Sequence, residues 1–232
     1  MRIQKIMALG VAVMLPIAFT KAQGSFQNLG FESADLPVIP QGQFGSLVPI
    51  SAGMPGWTGF LGAQQTTQVL QNNLTLGDPS IDILGPDFST GPGGIIEGNY
   101  TAVLQAGGSG VHVAATIEQS GTVPANTKSL QVKFGTGATG FAVSLDGQLI
   151  TMIPLSTGPN YTLYGGDASA FAGLPEELSF SALPTASNPF NGFSLDSIVF
   201  STSPVPEPGT CGLMLCAVVV FGMNRWRERG RV

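Results

Sequence analysis

The chain has 232 residues, of which only 10% are charged, and a formal net charge of −5. Its two cysteines, Cys211 and Cys216, stand near the C-terminus at a spacing that puts them on different sides of a helix, which excludes a disulfide framework or a zinc site. Between Gly24 and Ser203 there are two basic residues, Lys128 and Lys133, against twelve acidic ones, a net of −10 that repels nucleic acid and anionic lipid headgroups.

In chain order, Arg2 and Lys5 form a basic start, and Ile6 to Phe19 an almost unbroken apolar stretch. Thr20-Lys21-Ala22 then puts small residues at the −3 and −1 positions of a cleavage site. This is the layout of a secretory signal peptide over residues 1–22, too short in its apolar part to span a bilayer comfortably. Residues 23–203 amount to one domain, long enough to bury ~70% of the unfolded surface without covalent staples.

The pattern in that domain predicts strands. Val111 to Ile117 alternates, with its valines, Ala115 and Ile117 facing inward and His112 outward. Ser129 to Phe134 alternates, with Leu130, Val132 and Phe134 on one side. Phe141 to Leu145 follows, and Asp146-Gly147 supplies a hairpin turn into Gln148 to Ile153. A short helical turn is expected around Ala168 to Gly173, and Ser194 to Phe200 gives the last strand. Gly85-Pro86-Asp87 and Ser89 to Gly94 read as loops. Short strands at this spacing predict an all-β sandwich.

The C-terminus has a different character. Gly209 to Met223 is uncharged, and as a helix it would rise about 22 Å against a hydrocarbon core of about 30 Å. Arg225, Arg227, Arg229 and Arg231 follow and resist translocation. A glycolipid-anchor signal would end on its apolar stretch instead. Val205-Pro206-Glu207-Pro208-Gly209, the apolar run and the arginines together resemble the PEP-CTERM sorting signal of Gram-negative bacteria. The resemblance covers residues 204–232. It implies transient anchoring in the inner membrane, processing by an exosortase and release to the cell surface.

A second resemblance lies in the domain itself. Asn28 to Ser33 (NLGFES), Met54 to Trp57 (MPGW), Ile117 to Phe134 and Leu195 to Phe200 are similar to segments of galactose-binding-like jelly rolls. That implies a single jelly-roll β-sandwich over residues 23–203, flanked by a signal helix and a C-terminal membrane helix. In related carbohydrate-binding jelly rolls the Glu after the opening Phe and an Asp in the closing strand help hold a structural calcium. Here these are Glu32 and Asp196, with Ser197 where many relatives carry a second Asp.

The residues point away from catalysis. The single histidine, His112, is about 20 Å from Glu118 along a straight strand, and no nucleophile elbow or phosphate loop occurs. Glu176-Glu177, the adjacent acids, are expected in a loop, and no carboxylate pair is singled out for glycoside hydrolysis. Sugar binding needs exposed aromatic faces beside polar groups. Candidates are Trp57, either core or platform, and the stretch Asn160 to Gly173 with Tyr161, Tyr164 and Asp167. The tyrosines are three apart, so alternation turns only one of them inward. The reading is an exported surface or matrix protein, non-enzymatic, whose partners are the export machinery, an exosortase and extracellular polysaccharide. A purely structural matrix protein and a weak glycoside hydrolase are the alternatives.

Overall fold

The computed structural model describes residues 24–40, 42–86, 88 and 94–206. The expected signal helix, the C-terminal membrane helix, and Glu207, Pro208, Arg225, Arg227 and Arg229 of the sorting signal lie outside the described residues. Among the described residues no helix is long and apolar enough to cross a membrane.

The domain is nearly all β. Its first strand, β1 (Leu47–Pro49), leads into a single helical turn, α1 (Ile50–Gly53). Next come β2 (Thr58–Leu61), β3 (Gln64–Thr66), β4 (Gln68–Gln71), β5 (Ser80–Leu84) and β6 (Thr101–Gln105). The second half runs β7 (Ala115–Thr122), β8 (Ser129–Gly135), β9 (Phe141–Leu145), β10 (Gln148–Leu149), β11 (Ile153–Thr157), β12 (Tyr161–Asp167), β13 (Pro175–Ala182) and β14 (Gly192–Ser201). Eight strands form one sheet in the order β1-β4-β5-β6-β14-β8-β12-β11, and six form the other in the order β10-β9-β13-β7-β2-β3. Neighbours are antiparallel except β4 and β5.

The two sheets face each other across one apolar layer. Alternation in β8 sends Leu130, Val132 and Phe134 inward, all fully buried. Phe134 is the hub: it stacks on Phe141 at 4.3 Å and meets Phe193, Tyr164 and Phe180 edge-on. Since Phe134, Tyr164 and Phe193 come from one sheet and Phe141 and Phe180 from the other, this cluster ties the layers together.

Several sequence expectations are met. β8, β9 and β14 fall where alternation placed them, and the helical turn is a 3-10 turn at Ser169–Phe171. Asp146 and Gly147 both take positive φ, the geometry of a two-residue hairpin turn. Other details differ. Gln148 to Ile153 is not one strand: Ile150, Thr151 and Met152 break it, so β10 ends one sheet and β11 begins the edge of the other. The strand expected from Val111 starts only at Ala115, which leaves Val111 80% exposed. Glu176 and Glu177 lie in β13 rather than a loop.

The hub sets a stability test. Phe134→Ala should cost about 3–5 kcal/mol by chemical denaturation. Truncating the exposed Leu149 on β10, a residue with no comparable packing, should cost much less.

Candidate functional site

The outward face of the eight-stranded sheet carries the chemistry. Register places Leu70, Asp82, Val103 and Ser194 side by side across β4, β5, β6 and β14. Ser194 then meets Gly135 of β8, where a Cβ would run into the serine hydroxyl, and Gly135 pairs with Tyr161 of β12. The adjacent row contains Leu84, Thr101, Asp196 and Lys133. In each strand the inward neighbours of these residues, such as Leu104, Leu195 and Phe134, are buried core.

Over the first row opens a cavity of about 310 Å³. Val103, Gln105, Ser194 and Gly135 contribute its sheet side, and Leu74, Leu84, Phe88 and Phe190 its apolar walls. Phe190 is half exposed and has His112 edge-on at 5.2 Å. The Gln105 amide nitrogen donates to the Thr75 carbonyl and hydroxyl oxygens and to the Asp78 carbonyl, at 2.8–3.2 Å. Its amide hydrogens are therefore committed to the 75–78 turn.

Asp82 lies on the same face, fully buried. Its Oδ2 accepts the Ser80 hydroxyl at 2.7 Å, and its Oδ1 has no partner among the described residues. Burial pushes its carboxyl up to about 7, with the Ser80 hydrogen bond pulling the other way.

Glu32 and Asp196 converge, although they begin and end the domain. Glu32 accepts the backbone N–H groups of Asn99 and Tyr100 at 2.9–3.1 Å. Asp196 Oδ2 accepts Thr101 Oγ1 at 2.8 Å and Glu97 N at 3.2 Å, while Oδ1 accepts Ser197 N at 2.6 Å. Both carboxylates thus clasp the 97–101 turn. Burial raises Asp196 to about 6 against the pull of its donors, and Glu32 adds a smaller upward push. As arranged, the pair does not fit a calcium cage. Its oxygens already accept N–H and O–H groups, and no cluster of three His, Cys, Asp or Glu suited to a metal occurs among the described residues.

Beside the clasp, Lys133 Nζ forms an ion pair with Glu97 at 2.7 Å and stands over the Tyr161 ring at 4.9 Å from its centroid. Glu97 also accepts the Ser197 hydroxyl, and these two bonds, Lys133 first, hold its carboxyl below the usual range.

The proposed sugar contacts are not brought together. Trp57 is core: it stacks on Phe31 at 5.7 Å, approaches Phe180, and donates its indole N–H to the Asn28 carbonyl, so it offers no platform. Tyr164 turns inward onto Phe134 and Phe141, and Tyr161 outward beside Lys133. Asp167 ends β12 about 20 Å from Tyr161, where its carboxylate accepts the Ser169 N–H. The missed residues are Asp82, Gln105 and Ser194. Alternation in β14 turns Ser194 outward, and Ser80-Ile81-Asp82-Ile83 alternates in the same way, but neither pattern tells that the outward face of β5 is itself buried.

No family model and no curated protein matches the chain. Among solved structures, a cyclase from Fischerella sp. TAU in complex with 4-(1H-indol-3-yl)butan-2-one is similar at 18% identity and TM-score 0.46, covering 81% of this chain and all of its own. An apo-form cyclase from Fischerella sp. has 18% identity and TM-score 0.41, over 76% of this chain and 93% of its own. The enzymatically active domain of bacteriophage CBA120 tailspike protein 4 matches at 14% and TM-score 0.34, over 62% of this chain and 19% of its own. The expectation of a non-enzymatic protein does not stand beside these neighbours, which include cyclases. Likeness at this level assigns no reaction.

Asp82 gives a pH test. Its folded pKa lies above the unfolded value near 3.8, so the native state binds the extra proton between pH 4 and 7. Stability from this group falls as pH rises through that window and is level above it. Asp82→Asn should therefore flatten the decline and raise unfolding free energy at pH 8 by on the order of 3 kcal/mol. Denaturant melts at pH 5 and pH 8 check this, and an identical slope in both proteins would refute it.

Proposed function

We propose that this chain is an exported cell-surface or extracellular-matrix protein of a Gram-negative bacterium, and that its jelly-roll-type sandwich binds polysaccharide. The observation that carries the binding reading is the cavity on the outward sheet face. It combines an apolar wall that includes the half-exposed Phe190 with polar groups from Gln105 and Ser194, the mixture a sugar ring requires. The layout of residues 1–22 supports export, and the ordered Pro206-Glu207-Pro208, apolar and arginine-rich parts support PEP-CTERM sorting with an exosortase as partner.

Two measurements test the proposal. The secreted protein, run against the producer's own extracellular polysaccharide and a glycan panel, should bind saturably, and Phe190→Ala should weaken binding about tenfold or more. Each titration is run with calcium and with chelator; binding indifferent to chelator is the result expected from the occupied oxygens of Glu32 and Asp196. Separately, intact-mass analysis of the mature protein should place both chain ends inside the sequence, after Ala22 and before the arginines. A mature C-terminus at Val232 would refute the sorting proposal.

A further inference from the structure

Resting on the polysaccharide-binding reading, we propose that the cavity takes one neutral 6-deoxyhexose residue, its methyl group on the apolar wall and its ring hydroxyls on Gln105 and Ser194. At about 310 Å³ the cavity is at the small end of ligand sites, which run from about 300 to 1,000 Å³, so it suits a single ring and not a stretch of chain.

Charge narrows the class. No charged side chain is among the described residues lining the cavity. Lys133, on the same sheet face, is paired with Glu97 and covers Tyr161, and His112 meets the edge of Phe190 without itself lining the cavity. A uronic acid or a sulfated sugar would enter without a counter-charge, against the field of a domain with two lysines and twelve acids.

Hydrogen-bonding capacity narrows it further. With its amide hydrogens held by Thr75 and Asp78, Gln105 has an acceptor to offer. The Ser194 hydroxyl has no hydrogen-bond partner among the described residues and can accept as well as donate. Gln105 and Ser194 stand diagonally across β6 and β14, with Gln105 opposite Gly192 and Ser194 opposite Val103, so their two acceptors match two hydroxyls of one ring, which are donors. Leu74, Leu84 and Phe190 give the lining its apolar wall, and Thr136 is its other polar side chain. A hydroxymethyl group against that wall would lose its water and find no replacement, whereas a methyl group fits it. A hydroxyl added in an apolar pocket changes affinity by roughly 10- to 100-fold.

The test uses the full chain, purified in a non-glycosidic detergent, and calorimetric titration with methyl glycosides. L-rhamnose is compared with L-mannose, L-fucose with L-galactose, and D-galacturonide serves as the anionic probe. At least one deoxy sugar should bind tenfold or more tightly than its 6-hydroxy counterpart, the uronide should not bind, and Phe190→Ala and Ser194→Ala should each weaken binding at unchanged melting temperature. Equal affinity within both pairs, preference for the uronide, or binding indifferent to Phe190→Ala would overturn the inference. Failure of all five probes while the producer's polysaccharide still binds overturns it and leaves the polysaccharide reading standing. Failure of both overturns both.

Discussion

The last strand of the domain lies in the middle of its larger sheet. β14 is inserted between β6 and β8, so the sheet has no continuous hydrogen-bonded surface until the C-terminal end of the domain has arrived. Everything that gives this protein a site depends on that insertion. It brings Ser194 beside Val103 and Gly135, it brings Asp196 beside Thr101 and Lys133, and it places Phe193 and Leu195 on the opposite side as core.

The insertion is locked where β14 bends. The pairing of β14 with β8 slips between Asp196 and Val199, and Ser197 there takes a positive φ of 49°. The bulge frees the Ile198 N–H to donate to the Leu29 carbonyl of the opening segment at 2.9 Å. Asp196 reaches across to the 97–101 turn, which Glu32 holds from the other side. The beginning, middle and end of the domain thus meet at two carboxylates. A carboxylate so deeply buried is costly unless donors surround it, and Asp196 has three. Burial raises both carboxyls, Asp196 to about 6 and Asp82, with only the Ser80 hydroxyl donating to it, to about 7.

Period-two alternation separates the two faces of the sheet. Inward positions form the aromatic hub around Phe134, and outward positions hold Ser194, Asp196, Lys133 and Gln105. The outward face is covered at the 97–101 turn and open at the cavity. One cover rigidifies the sheet, and the opening leaves a shaped, uncharged recess. Close approach of β8 and β14 at Gly135 requires the absence of a side chain there, because Ser194 fills the space. A domain with so few charges can thus present polar groups without presenting charge.

The sequence by itself determined the local elements whose two faces meet different surroundings. β8, β9 and β14 alternate because one side meets the core and the other does not, and Asp146-Gly147 announces its turn through the φ angles it tolerates. The opening motif and the MPGW motif meet in the structure, where Trp57 stacks on Phe31 and bonds to Asn28. What it could not supply was adjacency. β5 alternates Ser80 and Asp82 with Ile81 and Ile83, yet it is buried on both faces, and nothing local signals that cover or the orphaned oxygen of Asp82. Gln105 and Ser194 are distant in sequence, and only the insertion of β14 beside β6 makes them neighbours. Trp57 and Tyr161 were both candidate sugar contacts, Trp57 as core or platform and Tyr161 as one of two tyrosines of which alternation turns one inward. Tertiary packing alone sent one into the core and the other out beside Lys133, because burial depends on which sheet lies opposite.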